Sequence, residues 1–271
     1  PERVDPGNVD WNTRNIPKVV GGVDETSTKV ATILYEQIVD SVVPVSSTTV
    51  AETVKLLENT FRAVNIGLAN ELALMCAHLD VDVWEVIEAA KSKPFGFMPF
   101  YPGPGLAGHC IPIDPFYLSW KARQKGFESR FIELAGHVNS GMPRHVVERV
   151  AAALNSRTLP IGGSRVHLFG VAYKPNVSDV RESPAIDIAL LLKERGALVS
   201  YSDPFVPRLT DSGLVLDAID PDKALSNGID CAVIATDHSG FDYESIARQA
   251  PVVVDTRNAL KGIKRDNIFR L

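Results

Sequence analysis

Between Thr49 and Met75 the large apolar residues recur at Val54, Leu57, Phe61, Val64, Leu68, Leu72 and Met75. The i, i+3, i+4, i+7 spacing predicts one long amphipathic helix with a single buried stripe. Thr49-Val-Ala-Glu52 has the capping-box pattern expected at its start. Upstream, Lys18–Gly21 reads as a strand, 25–39 as a helix and Val42–Val45 as a short connector. Downstream, Val83–Ala90 reads as a shorter helix, and further helices are expected up to Leu154. From Ser164 the pattern changes. Arg165–Phe169, Leu198–Ser202, Asp230–Ala235 and Val252–Asp255 read as strands, with a helix over Ala185–Arg195 that Gly196 stops. Strands alternating with helices predict an α/β arrangement whose parallel sheet is covered on both faces. Ligands of such sheets bind at the carboxyl ends of the strands.

Between the two helical stretches lies a loop, Lys93 to Gly108. It holds Pro94, Pro99, Pro102 and Pro104 together with Gly96, Gly103, Gly105 and Gly108. Proline removes donors and glycine costs backbone entropy, so this stretch is neither a helix nor a strand interior. It runs into Cys110, with Asp114 four residues on. A thiol titrates near ~8.5 and becomes a nucleophile where its surroundings lower that value. On spacing alone, a reactive thiol and an inert buried cysteine stand equally open. His109 either tunes that thiol or is a structural loop histidine. Lys55 and Asn59 are neighbours on the long helix, away from its stripe, and by themselves read first as a solvated pair. Lys174 and Arg181 fall just past the first strand of the sheet, where a ligand is expected. His238 and Arg257 follow later strands and are weaker candidates.

Length and charge narrow the classes. The 271 residues suffice for a sizeable core and two domains. With 28 basic and 33 acidic residues the net charge is −5, which argues against a nucleic-acid partner. No run reaches the ~18 apolar residues of a membrane span. Three cysteines, with Cys76 in a helical pattern and Cys231 in a strand pattern, suggest a reduced, cytoplasmic protein in which those two are core residues.

Four motifs in chain order carry a resemblance. They are Pro1-Glu2-Arg3-Val4-Asp5-Pro6-Gly7, Lys55-Leu-Leu-Glu-Asn59, Gly105-Leu-Ala-Gly108-His-Cys110 with Asp114, and Gly170-Val-Ala-Tyr-Lys-Pro-Asn-Val-Ser-Asp-Val-Arg-Glu-Ser-Pro184. Together they resemble the UDP-glucose/GDP-mannose dehydrogenase family, and most closely its branch acting on UDP-N-acetylhexosamines. The resemblance implies a helical central domain followed by a Rossmann-like C-terminal domain, preceded by the tail of an N-terminal Rossmann domain. The implied bounds are 1–47, 48–155 and 156–271. It implies oxidation of a C6 alcohol to a carboxylate with NAD, through a thiohemiacetal and a thioester on Cys110. Lys55, Asn59, Asp114 and Glu2 are the implied catalytic partners. Lys174, Gly105, Tyr101, Phe100, Tyr173 and Arg257 are expected on the UDP-sugar substrate, Arg181 near the dinucleotide, and no metal is expected. A homodimer or larger assembly through the long helix is implied as well.

The chain departs from the family pattern at several positions. Ile113 stands where the glucose enzymes carry a lysine, and Lys93-Pro94-Phe95 where they carry an arginine. Pro6 replaces a second acidic residue, and Ala107 stands where glycine is usual. The apolar surface so gained favours an acetamido sugar. UDP-N-acetylglucosamine is the first expectation and its manno epimer the second, since no residue reads the C2 stereochemistry. No Gly-x-Gly-x-x-Gly turn occurs and the chain opens at the Pro-Glu-Arg-Val motif, so it is expected to be the C-terminal part of a longer enzyme. Alone it is expected not to reduce NAD. A UDP-glucose or GDP-mannose 6-dehydrogenase, a nucleotide-sugar-binding module without redox capacity, and a cysteine hydrolase are the alternatives. The last would need a better-placed base than His109.

Overall fold

The computed structural model describes residues 1–4, 8 and 10–271. Asp5, Pro6 and Gly7 of the opening motif lie outside the described residues. The first elements are β1 (Lys18–Val20), α1 (Glu25–Glu36), β2 (Val42–Pro44), α2 (Thr48–Leu79), α3 (Val83–Lys91), α4 (Asp114–Arg123) and α5 (Arg130–Asn155). They are followed by β3 (Arg165–Phe169), α6 (Pro184–Glu194), β4 (Leu198–Ser202), β5 (Arg208–Asp211), β6 (Leu214–Asp217), α7 (Pro221–Ser226), β7 (Cys231–Ile234), α8 (Tyr243–Gln249), β8 (Val253–Asp255) and β9 (Ile268–Arg270). The chain divides into two compact units. One comprises Pro1–Arg62 with Ile113–Ser129, the other Ala63–Pro112 with Arg130–Leu271. No helix among the described residues is long and apolar enough to cross a membrane.

In the first unit β1 pairs in parallel with β2. Val42–Pro44 is therefore a strand and not a connector. Three residues are too few to show alternation, and Pro44 suits a strand end where its missing N–H is not needed. Asp24 caps α1, its Oδ1 accepting from Ser27 N at 2.6 Å. The cap of α2 is two residues earlier than the Thr49–Glu52 pattern suggests: Ser47 Oγ accepts from Val50 N at 3.2 Å. Thr49 is already helical, and its carbonyl accepts from Thr53 Oγ1 at 2.7 Å.

The expected buried stripe of α2 is corrected too. Leu57, Phe61, Leu68 and Met75 are 61, 48, 62 and 51% exposed. The face that packs is instead the small one, with Ala63, Gly67, Ala69, Ala73 and Cys76 buried. Periodicity weighs side-chain size, whereas close helix contact selects small side chains. At Gly67 an added Cβ would stand 3.1 Å from the Cα of Ala135 in α5.

The second unit holds a five-stranded sheet in the order β4-β3-β7-β8-β9, all pairs parallel. Both faces are covered. Leu168, Val233 and Val254 point into a cluster with Met142, Val150, Ile188 and Leu192. Their neighbours Phe169, Ile234 and Val253 point into another with Leu225, Ile246 and Ala247. Each such fully buried aliphatic side chain contributes roughly 1.5–3 kcal/mol. β3 and β4 have the bounds expected from sequence, because Gly170 and Asp203-Pro204 end them. Not anticipated was the β5–β6 hairpin, whose turn residues Ser212 and Gly213 both have positive φ, 47° and 81°. That is the turn geometry whose twist matches a two-residue hairpin. The chain leaves β3 toward β4 on one side and returns to β7 on the other, so the strand order reverses beside β3. Outside the carboxyl ends of the strands at such a reversal is where open α/β sheets bind ligands.

Candidate functional site

In the first unit the residues of the two expected catalytic motifs meet. Asn59 Nδ2 donates to Asp114 Oδ2 at 2.6 Å. Asp114 is the first residue of α4, followed by Pro115, where the helix dipole favours a carboxylate. Lys55 lies one turn before Asn59 on α2 and is half-buried. Glu2 is mostly exposed; its oxygens lie 3.8 Å from Lys18 Nζ and 3.3 Å from Arg3 N. Arg3 anchors this opening segment. It binds Glu58 with two bonds, 2.6 and 3.2 Å, and donates to the carbonyl of Pro17 at 2.6 Å. The two-pronged pair fixes geometry as well as charge. Glu58 directly precedes Asn59, so the Glu2 segment is tied to the same turn of α2.

In the second unit the loop before Cys110 packs on the carboxyl edge of the sheet. An added Cβ at Gly103 would be 2.8 Å from Arg257 Nη1, and one at Gly105 3.2 Å from Pro184. At Gly108 it would meet the Tyr173 ring at 3.2 Å. Gly105 and Gly108 also have φ of +144° and +91°, which an L side chain rarely adopts. The loop thus brings together Gly105 and Tyr173, expected from two separate motifs, and Arg257, a weaker candidate that follows a later strand. Arg257 follows β8 and is held by its Nε to Ala235 O at 2.9 Å, while burial pushes its pKa down. Lys174 Nζ lies 6.0 Å from the centroid of the Tyr173 ring. Phe100 is half-buried. Tyr101 turns toward α3 instead, donating to Glu88 at 2.7 Å and lying 6.1 Å from the Trp84 ring.

Cys110 is half-buried, with Sγ 3.6 Å from His109 Nδ1. Cys76 and Cys231 are buried, and burial pushes the Cys231 thiol up to about 12. Arg181 is exposed and clamps Asp179, with Nη2–Oδ2 at 2.5 Å. Its hydrogen bond holds the Asp179 carboxyl below the ordinary range, with a small electrostatic contribution from His109. Asp179 in turn raises the Arg181 pKa, with a small electrostatic contribution from Cys110. The Asp179–Arg181 pair is therefore within electrostatic reach of the thiol.

His238 is not a ligand candidate in this geometry. It is fully buried, its Nδ1 accepts from Asn176 N at 3.0 Å, and its Nε2 lies 3.0 Å from Asp203 Oδ2. An Nδ1 that accepts a backbone N–H carries no proton, so Nε2 donates. Asp203 also accepts from the backbone N of Val171, Ala172, Phe205 and Val206. This hub braces the segment that carries Tyr173 and Lys174. Asp203 was hidden in an Asp-Pro turn signal, and nothing in the sequence marked it. Among the described residues no group of three His, Cys, Asp or Glu side chains could hold a metal ion.

Two family models match the chain. The UDP-glucose/GDP-mannose dehydrogenase family, central domain, covers residues 49–141, and the UDP binding domain of the same family covers residues 167–262. A curated protein of Methanococcus maripaludis (strain C7 / ATCC BAA-1331), called UDP-N-acetyl-D-mannosamine dehydrogenase, is 36% identical over 269 residues, covering 96% of this chain and 60% of that protein. The solved UDP-D-ManNAc dehydrogenase of Pyrococcus horikoshii superposes with a TM-score of 0.87 at 32% identity, over 100% of this chain and 63% of that one. The solved NDP-N-acetyl-D-galactosaminuronic acid dehydrogenase of Methanosarcina mazei Go1 gives 0.85 at 29%, over 100% and 60%. The chain spans about 60% of the length of the curated relatives it matches.

Proposed function

We propose, for a chain that belongs to the UDP-glucose/GDP-mannose dehydrogenase family, oxidation of a UDP-N-acetylhexosamine at C6 to the uronate, with Cys110 as nucleophile. One observation carries the proposal. The glycine-rich loop that ends in Cys110 packs against Arg257, Pro184 and Tyr173, at the sheet edge where a nucleotide sugar belongs. On this basis the Cys110 thiolate adds to the C6 aldehyde, giving a thiohemiacetal. Oxidation of that adduct gives a thioester, which water hydrolyses. Lys55 and Asn59 supply the cation and the donor that an oxygen gaining charge requires. Asp114, held by Asn59, is the base for water, with Glu2 as its second. Lys174 and Arg257 bind the diphosphate side of the substrate, alongside Gly105, Phe100 and Tyr173; Tyr101, bonded to Glu88, stands outside that set.

NAD is the hydride acceptor expected of the whole protein; two NAD⁺ used in turn would supply the four-electron oxidising capacity that alcohol to carboxylate requires. The residues of this chain do not themselves fit its pyrophosphate. Both βα turns of the first unit end in side-chain caps, Asp24 before α1 and Ser47 before α2, in place of open backbone donors.

Among sugars, the acetamido class is favoured by apolar groups at the positions that depart from the glucose enzymes. Ile113, Phe95 and Phe97 are all exposed, and Lys93 Nζ sits 5.0 Å over the Phe95 ring. The names of the relatives move the manno epimer ahead of the gluco one. A methyl-sized fit discriminates by ~10- to 200-fold in kcat/KM. Assaying the whole protein on UDP-N-acetylmannosamine, UDP-N-acetylglucosamine and UDP-glucose should give that margin over glucose. Equal or better use of UDP-glucose would overturn the substrate assignment and leave Cys110 in its role.

The partner is a second copy. The exposed Leu57, Phe61, Leu68 and Met75 of α2, with Val64, follow the alternating three- and four-residue spacing of a helix seam. Leu68→Glu should convert a sedimenting dimer to a monomer while leaving helix content unchanged. A wild-type monomer at high concentration would count against the dimer.

A further inference from the structure

We infer that a buried amide pair, Asn70 on α2 and Asn139 on α5, positions the loop that presents Cys110. Both side chains are buried, 0 and 3% exposed. Asn139 Nδ2 donates to the carbonyl of Ala63 at 3.1 Å. Asn139 Oδ1 accepts from Asn70 Nδ2 at 2.8 Å, and Asn70 Oδ1 accepts from Gly103 N at 2.9 Å. The relay thus runs from the backbone of α2, through α5 and α2 side chains, to the loop. Gly103 stands between Pro102 and Pro104, neither of which has an N–H. Its amide is the single backbone donor of that run, and the relay takes it. Buried Pro102, Gly103 and Pro104 therefore hang on one hydrogen bond to Asn70. The backbone of Asn139 also abuts the next glycine: an added Cβ at Gly105 would be 3.4 Å from its carbonyl oxygen.

An amide is required at both positions. Each asparagine gives one N–H and receives one, a chain that a carboxylate, which has no donor, cannot complete. Apolar replacements would fill the space and strand the Gly103 N–H. The loop would then be free to shift relative to Arg257, Pro184 and Tyr173, and a displacement on the order of 1 Å at a reacting group costs about 10²-fold. Asn70 and Asn139 are positioning residues, since neither is proposed to touch the substrate.

The role of the loop in catalysis rests on the function proposed above, but its geometry can be tested without turnover. Iodoacetamide should label Cys110, because Cys76 and Cys231 are buried. In the whole protein, Asn70→Ala is expected to change the Cys110 labelling rate by at least about 3-fold. Asn70→Asp keeps the acceptor for Gly103 but sets a carboxylate oxygen against Asn139 Oδ1, and should return the rate only part of the way to wild type. Asn139→Ala, which leaves the Gly103 bond but frees the Asn70 amide, should fall between them and serves where Asn70→Ala does not fold. Ala73→Ser, a buried change on the same helix with no link to the loop, controls for lost stability. A labelling rate unchanged in folded Asn70→Ala or Asn139→Ala overturns the inference. The same variants assayed on nucleotide sugar should lower kcat by up to about 10²-fold, with a smaller change in KM. A protein inactive on every nucleotide sugar but with the labelling pattern intact would sink the proposed function alone.

Discussion

Cys110→Ser in the whole protein should reduce uronate formation by at least about 10³-fold, the scale seen when a covalent nucleophile is removed. The fold should be unaffected, because the thiol is only half-buried and its hydrogen bond is to the neighbouring His109 ring, at 3.6 Å. A serine hydroxyl fits the space but is a poor nucleophile without a base to take its proton. Product analysis by mass spectrometry, with circular dichroism as the control for folding, checks both halves. Sustained uronate formation by the serine variant would rule out the thioester route. Hydrolysis of an ester or amide by the wild type, abolished in the variant, would favour the cysteine hydrolase instead.

Asp203→Ala should be the most destabilising single change in the second unit. It removes the acceptor of four backbone N–H groups and of His238, all buried except that of Phe205, which is part-buried. Leaving each buried donor unsatisfied costs about 1–3 kcal/mol, against a total of ~5–15 for a domain. Asp203→Asn retains one acceptor oxygen and should recover part of the loss. Burial opposes the Asp203 charge, but the His238 bond and the backbone donors outweigh it and hold the pKa below the usual carboxylate value of 3.8. A depressed folded pKa means the contribution is fully present above the unfolded value and fades as pH falls through the folded one. Urea denaturation of wild type and Asp203→Asn at neutral pH, and again below pH ~4, should show the gap narrowing with acid. A gap independent of pH would show that the carboxylate charge is not what stabilises the hub.

Much of the parallel sheet was legible because its strands are punctuated. Gly170, Gly196 and Asp203-Pro204 mark ends that no periodicity could supply. Val42–Pro44 escaped notice because three residues have no pattern, and the Ser212-Gly213 hairpin because its strands are four residues each. The packing face of α2 was inverted, since large side chains dominate any count of apolar spacing while Ala63, Gly67 and Ala73 do the packing. Of the candidate site, Cys110 was visible through the proline and glycine before it. Lys55 and Asn59 gained meaning only from the family resemblance. Asn70 and Asn139 read as polar positions of helices, which are usually solvated, and only tertiary contact reveals that they face one another. His238 looked like a ligand because it follows a strand; its two ring partners make it a brace.

The contact at Gly67 has a consequence for how α2 and α5 settle during folding. Two helices whose backbones touch can slide by a turn with little loss of apolar area, because small side chains offer no distinctive relief. The Asn70–Asn139 pair one turn away breaks that degeneracy, since slippage would leave two amides buried and unmatched. A leucine pair there could well raise the melting temperature, and yet yield a population in which several registries coexist. Single-valuedness, more than strength, is what this crossing contributes to the chain.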